Sequence, residues 1–275
     1  MTRADRKQKP TSRRGPYTLA LDIGGTGLKA SVLDRAGRMV VKHVRTPTPH
    51  PCGPAVLLRS LATLVAPLPR FDRISVGFPG IIRDGRVVTA PHFGTDIWRS
   101  YPLESAISRR FRRPARLLND ADVQGLGIIR GKGLEAVLTL GTGIGSAIFS
   151  DGRIAPHLEL AQHPIHDGNT YNEYIGDEAR RTISAKKWNH RVQKAIEIVH
   201  TLLNYDQLYL GGGNAARLSF SLPRNAHIAS NDAGLTGGIR LWEEKVWRVA
   251  HGHRTSPRVV RRRAGPLRAF AKAAE

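Results

Sequence analysis

Two glycine–threonine runs and one acidic run carry the chemistry. Asp22-Ile23-Gly24-Gly25-Thr26-Gly27 follows an apolar stretch, Thr18 to Ile23, and leads into a second, Leu28 to Leu33. Val137 to Leu140 enters Gly141-Thr142-Gly143-Ile144-Gly145 in the same way. Glycine permits positive φ and brings backbone N–H groups close to a ligand. A turn of such groups beside a threonine hydroxyl is a nest for an anion, phosphate above all. Asp22, at the end of its strand, is placed to hold Mg²⁺ or its waters. Lys29 either reaches a phosphate or is a surface lysine on a strand. The acidic run is Asn119-Asp120-Ala121-Asp122, where the apolar Arg116 to Leu118 gives way to a helical pattern. Asn119 suits an N-cap, and the helix dipole would lower a first-turn carboxylate pKa. Asp120 and Asp122 are then either ordinary first-turn acids or an acid–base group.

The elements that must position these residues are readable from pattern. Each glycine run lies between two apolar strands and continues into a tight turn (Asp34 to Gly37; Asp151-Gly152) and a third strand. That weak internal duplication argues for two lobes gripping one phosphorylated ligand. Neither run is a Walker loop or a dinucleotide fingerprint. Apolar spacing predicts a helix over Ala55 to Ala66 and another over Glu104 to Arg113. A third is expected from the acidic run through Ile129, and a buried stripe from Trp188 through Leu203. Strands are expected over Arg73 to Phe78, ending in the rigid turn Gly77-Phe78-Pro79-Gly80, and over Arg86 to Thr89. Gln207 to Leu210 is a strand delivering Gly211-Gly212-Gly213-Asn214. His166 to Tyr174 reads as a polar loop, and Asn231-Asp232-Ala233-Gly234 starts a last helix through about Val249.

Charge bounds the partners. The 275 residues hold 43 Lys and Arg against 22 Asp and Glu, net +21. Residues 1–16 carry +5 of this and residues 251–275 carry +6, leaving +10 on the body. Both tails, with their Pro and Gly and no apolar period, are expected to be basic and disordered. A basic body attracts polyanions, although a general arginine bias produces the same composition. No apolar run is long enough to span a membrane, and no secretory h-region opens the chain. Cys52 is the only cysteine, so no internal disulfide forms, which fits a cytoplasmic protein. His157, His163 and His166 lie close in sequence without regular ligand spacing, so no metal site is expected there.

Five motifs occur in order: Asp22 to Thr26, Gly77 to Gly80, Leu118 to Asp122, Leu140 to Gly145 and Leu210 to Asn214. Together they resemble the ROK family of sugar kinases, in its glucokinase and polyphosphate glucokinase branch, from about Tyr17 to Val249. The resemblance implies an α/β, two-lobed actin/hexokinase-like (ribonuclease H-like) fold with a central cleft. It implies an N-terminal lobe over 17–118, completed by a helix over 233–249, and a C-terminal lobe over 119–232. It implies phosphoryl transfer from ATP or polyphosphate, with Mg²⁺, to a hexose, most simply the 6-hydroxyl of glucose. Asp120 would be the base. Asn119, Glu159, Gln162, His163, His92 and Gly80 would contact the sugar. Gly24, Gly25, Thr26, Gly27, Lys29, Gly141, Thr142, Gly143, Gly212 and Gly213 would cradle phosphates and nucleotide, and Asp22 would place the metal. Trp98 either packs near the sugar or anchors a loop. Two departures stand out. Gln162 takes the place of the family's sugar-binding His, with His163 next to it. The family's cysteine-rich zinc motif is missing, so no structural zinc is expected. The substitution at Gln162 keeps open a non-catalytic sugar or polyanion binder that retains the fold. A nucleic-acid role through the tails is not expected, since no helix-turn-helix or other such signature accompanies them. Relatives imply a possible homodimer.

Overall fold

The computed structural model describes residues 15–230 and 232–250. The expected basic tails, 1–16 and 251–275, lie outside the described residues apart from Gly15 and Pro16. In the first lobe, β1 (Thr18–Ile23), β2 (Gly27–Leu33) and β3 (Val44–Pro47) form an antiparallel meander. Helix α1 (Pro54–Val65) follows, with proline in its first turn, where a missing N–H costs nothing. β4 (Arg73–Phe78) then lies parallel to β1. A hairpin of β5 (Ile82–Arg83) and β6 (Arg86–Val87), the short α2 (Thr95–Trp98) and α3 (Leu103–Phe111) lead to β7 (Ala115–Asn119), parallel to β4. The order is β3-β2-β1-β4-β7. Leu19, Leu21, Ile23, Val76, Phe78 and Leu57 are all within 1 % of full burial in the lobe's core. Trp98 is also fully buried. Its Nε1 donates to the Cys52 carbonyl at 3.0 Å and its ring packs on Phe78 and Phe93, so it anchors a loop.

After α4 (Asp120–Leu126) the same topology repeats. β8 (Leu134–Leu140), β9 (Ile144–Ser150) and β10 (Arg153–Ile154) form a meander. Next come the hairpin β11 (Pro164–His166) and β12 (Asn169–Thr170), then α5 (Tyr171–Ile175), α6 (Asp177–Thr182) and α7 (Ala185–Leu203). β13 (Gln207–Gly211) lies parallel to β8, and β14 (Ala226–Ile228) parallel to β13, giving the order β10-β9-β8-β13-β14. The internal duplication is thus the architecture itself. In α7, Ser184 caps the Lys187 N–H and Asn204, at φ 47°, ends the helix in the left-handed region. The stripe Trp188, Val192, Ala195, Ile196 and Val199 is core.

Two expectations need correction. His166 to Tyr174 is not a loop, because Asn169-Thr170 pairs with β11 and Thr170 and Glu173 make a reciprocal capping box that starts α5. Tyr171 and Tyr174 are then buried rather than lining a polar segment. The last helix is not continuous either. It breaks into α8 (Ala233–Thr236), a tighter 3₁₀ turn over Gly237–Trp242 and α9 (Glu244–Ala250). The glycines mark the reason, which is close approach. A Cβ on Gly237 would stand 1.9 Å from the Val123 carbonyl oxygen, and one on Gly238 2.9 Å from Ser75 Cβ.

This C-terminal segment touches both sheets. Ser75 Oγ on β4 donates to the Gly238 carbonyl at 2.6 Å and accepts from Trp242 Nε1 at 2.9 Å. Leu241 and Val246 pack with Val137 and Phe149 of the second sheet. The Arg116 guanidinium on β7 sits 4.6 Å from the ring centroids of both Trp242 and Trp247 and donates to the Leu241 carbonyl. No described helix is long and apolar enough to cross a membrane.

Replacing Gly237 with Ala should destabilise the protein by about 3 kcal/mol, because the clashing atom is backbone and cannot swing away. Gly213→Ala, where a Cβ meets nothing within 4 Å, is the matched control. Urea unfolding of the two variants reads the difference.

Candidate active site

A cleft of about 650 Å³ lies between the lobes. Both glycine loops are hairpin tips that face it. Ile23 pairs with Leu28 and Leu140 with Ile144, so the first loop is Gly24 to Gly27 and the second Gly141 to Gly143. Each closes on itself, through Gly24 N–H to the Gly27 carbonyl (2.9 Å) and Gly141 N–H to the Gly143 carbonyl (3.0 Å). The loops meet across the lobes, with Thr26 Oγ1 3.1 Å from Thr142 Oγ1. The third glycine turn packs on the second loop. The Asn214 N–H donates to the Leu140 carbonyl at 2.9 Å, and its Nδ2 donates to the Gly141 carbonyl and to Asp177 Oδ1. Gly212, at φ 80°, could not carry a side chain, since its Cβ would stand 2.4 Å from the Leu140 carbonyl oxygen.

The cleft floor is the start of α4. Asn119 Oδ1 accepts from the N–H groups of Ala121 (2.8 Å) and Asp122 (3.4 Å), the expected cap. Its Nδ2 donates to the Gly80 carbonyl at 3.1 Å, which ties the helix to the Gly77-Phe78-Pro79-Gly80 turn. Glycine is required at Gly80, and a side chain at Gly77 would be tight. A Cβ on Gly80 would stand 2.0 Å from the Thr89 carbonyl oxygen, and one on Gly77 3.2 Å from Asp120 Cα. Asp120, partly exposed, faces the cleft. Its pKa is pushed up to about 7, first by burial and then by the Asp22 carboxylate, with smaller contributions from Glu159 and Asp122 and only the Ala121 N–H opposing. The helix dipole was expected to lower it. Desolvation and three neighbouring carboxylates outweigh the dipole.

Asp22 lines the cleft with Lys29, whose Nζ is 3.2 Å from Asp22 Oδ2. His43, Arg45 and Arg181 add positive or titratable groups to the lining. His92 lies in the seam between the two loops. Cβ atoms built on Gly25 and Gly143 would come within 3.1 Å and 2.7 Å of its side chain. Burial lowers its pKa, Glu159 opposes and His50 adds to the lowering, so the imidazole is neutral at neutral pH. Asn172 Oδ1 accepts from the Ile144 N–H at 2.7 Å and so props the second loop beside it.

The cleft therefore gathers Asp22, Gly24, Gly25, Thr26, Gly27, Lys29, Gly80, His92, Asn119, Asp120, Gly141, Thr142, Gly143, Glu159, Gly212 and Gly213. It does not include Gln162 or His163. Both are exposed, and the His163 ring turns toward Tyr171, 6.3 Å between centroids. Sequence reasoning passed over Asn172, Asp177 and, above all, His157, and named Asn214 only as the end of the glycine turn. His157 lines the cleft with its side chain 13 % exposed, its two ring nitrogens 3.6 Å from carboxylate oxygens of Asp122 and Glu159. Grouping it with His163 and His166 as a possible metal cluster hid this. The informative spacing was the two residues to Glu159.

Comparison with known proteins follows the same lines. The chain is 28% identical over 244 residues to the polyphosphate glucokinase of Mycobacterium leprae, covering 82% of this chain and 74% of that one. The crystal structure of an inorganic polyphosphate/ATP-glucomannokinase from an Arthrobacter species superposes with a TM-score of 0.74 at 30% identity, over 82% of this chain and 97% of that one. A ROK family glucokinase from Streptomyces griseus shares the fold, with a TM-score of 0.67 at 18% identity over 82% of this chain and 98% of that one. The ROK family profile itself matches residues 18–156, and the chain belongs to the ROK family.

Proposed function

We propose that this protein is a sugar kinase that transfers a phosphoryl group from ATP or inorganic polyphosphate to a hexose, glucose above all, with Asp120 as general base. The observation that carries the reading is the position of Asp120, on the floor of one cleft with two phosphate-nest loops and Glu159. The polyphosphate glucokinase and the polyphosphate/ATP-glucomannokinase similar to it support the reaction class and both donors.

In this mechanism the sugar lies over α4. Glu159 accepts a hydrogen bond from a hydroxyl, and Asp120 accepts the proton of the hydroxyl that attacks. Asn119 spends both ends of its amide on the α4 cap and on Gly80, so it sets the positions of Asp120 and the Gly80 turn together. The loops at Gly24 to Gly27 and Gly141 to Gly143 hold the donor's phosphates, and the Gly212-Gly213-Asn214 turn holds what lies beyond them. Catalysis of this kind is positioning and charge stabilisation. His92, neutral and between the loops, donates a hydrogen bond to the transferring group. Lys29 and Arg45 offset donor charge.

Mg²⁺ fits the donor set as an ion carried on the donor. Asp22 would supply an oxygen ligand beside the first loop, and among the described residues no group of three or more His, Cys, Asp or Glu is gathered to hold a metal. Magnesium is commonly held through one or two carboxylates, phosphates and water. When bound, it neutralises charge on the phosphates.

Asp120→Asn should lower turnover of glucose by at least ~10²-fold with either donor. The same substitution should raise the melting temperature at mildly alkaline pH. The folded state holds the Asp120 proton more tightly than the unfolded chain does, with a pKa of about 7 against 3.8. Ionising it therefore costs stability progressively as pH rises between those values, and Asn escapes that cost. A variant that keeps its turnover would remove Asp120 from the role of base.

For the wild-type enzyme, kcat/KM should rise about tenfold per pH unit on the acid side and level off near the Asp120 pKa, since the base acts only when ionised. A profile flat through neutrality would contradict this.

Polyphosphate should respond to salt as a polyanion held by several cations does. Its KM should climb steeply with added KCl while that of glucose stays level. A polyphosphate KM indifferent to ionic strength would leave ATP as the donor the site is built for.

A further inference from the structure

His157 is a buried titratable group that the reaction as described does not use. Its side chain is 13 % exposed, and neither ring nitrogen reaches solvent or has a hydrogen-bond partner within normal distance. The two nitrogens face opposite ways onto acids of different segments. Nδ1 is 3.6 Å from Asp122 Oδ2 on α4, and Nε2 is 3.6 Å from Glu159 Oε2 on its own loop. The Asp122 and Glu159 side chains are themselves only 8 % and 22 % exposed.

The chemistry of the ring decides its state. A neutral imidazole has one N–H and one bare nitrogen, while a carboxylate only accepts. A neutral His157 would therefore turn a lone pair toward one of the two acids, in a place where water does not intervene. Only the doubly protonated ring satisfies both sides. Burial alone would lower its pKa, but the hydrogen-bonding and charge of Asp122 and Glu159 outweigh burial and push it up to about 10.

The backbone of the same loop is clamped from the other side. Ser146 Oγ on β9 donates to the Leu158 carbonyl and accepts from the Leu160 N–H at 3.4 Å, so Glu159 is held at both neighbours. What remains free is its long side chain, with enough rotamers to point away from the cleft. His157 limits that freedom by facing one carboxylate oxygen as an ion-pair partner at 3.6 Å, which leaves the other for a hydroxyl. Asp122 in turn fixes the ring, and Asp122 lies two residues from Asp120 in the first turn of α4.

We infer that His157 is a positioning residue for sugar binding: an imidazolium strut between Asp122 and Glu159 that fixes the Glu159 carboxylate relative to the base. The inference rests on the proposed kinase function only in naming the sugar. Neighbouring histidines do not duplicate the part, since His163 stacks near Tyr171 and His166 pairs with Asp167 at the surface.

The test compares wild type with His157→Gln and Asp122→Asn, measuring steady-state kinetics for glucose and for the donor, with nitrogen NMR of the histidine side chains alongside. Wild-type turnover of glucose tests the kinase reading by itself. Given that turnover, His157→Gln should raise the KM for glucose about tenfold or more, as expected when a partly buried carboxylate loses its ion-pair partner, and change the donor KM by less than about twofold. In the wild-type spectrum at mildly alkaline pH, the His157 ring should show both nitrogens protonated, and in Asp122→Asn the ring should titrate at lower pH. An unchanged glucose KM in His157→Gln overturns the inference. So does a wild-type His157 that is neutral at that pH, a measurement that stands even where a variant fails to fold.

Discussion

The start of α4 is the constraint on which the rest of the molecule depends. One short helix must sit between two sheets and present carboxylates to a cleft. That requires small residues on every side where backbone meets backbone. Gly77 lets β4 approach Asp120 Cα, Gly125 makes room for the Phe149 ring, and Gly127 and Gly237 bring the C-terminal segment within contact of α4. Asn119 then does two things with one amide, capping the helix and tying it to Gly80. The helix cannot rotate without losing a cap bond or colliding with a sheet, so Asp120 is aimed by packing rather than by its own rotamer.

That placement sets the electrostatics. Asp22, Asp120 and Glu159 line one cleft, with Asp122 beside His157. Carboxylates so close and partly desolvated resist ionisation together. Two cations relieve the repulsion locally, Lys29 at Asp22 and His157 between Asp122 and Glu159. Among the described residues Asp120 has no such partner, and its pKa rises to about 7. For the general base proposed above, a pKa near the working pH gives a carboxylate stronger than an ordinary aspartate and still substantially ionised, the compromise that proton transfer favours.

Much of this was legible in the sequence, and the reasons differ by residue. The two glycine–threonine hairpins are local: apolar strand, turn, apolar strand. Their repetition correctly implied two similar lobes. Asn119 as a cap is also local. The pKa of Asp120 was read with the wrong sign because a dipole is visible in sequence while burial and the approach of Asp22 are not. The break in the last helix depends on how near Val123 and Ser75 come to Gly237 and Gly238, which no propensity records. Tyr171 and Tyr174 sat in what read as a polar loop because the Thr170–Glu173 capping box was missed. His157 was unreadable as a strut because its two acids lie on both sides of a whole meander, β8 to β10.

The meeting of the loops has a consequence for motion. Thr26 and Thr142 touch at 3.1 Å, and His92 fills the space between Gly25 and Gly143. A donor phosphate that belongs between the nests must part that contact, which requires the lobes to move relative to each other. The connections between lobes limit how they can do so. Chain crosses from the first sheet to the second through α4, and the C-terminal segment returns through Gly237 and Gly238 to pack under Ser75. Beyond it, Arg116 holds Trp242 and Trp247 by its two faces. None of these contacts lines the cleft. Ser146 holds the backbone on either side of Glu159, and the Asn119 cap holds the start of α4, by contacts that do not involve the Thr26–Thr142 pair. In the proposed reaction, donor binding at the loop tips and sugar binding over α4 thus draw on different contacts within one cleft.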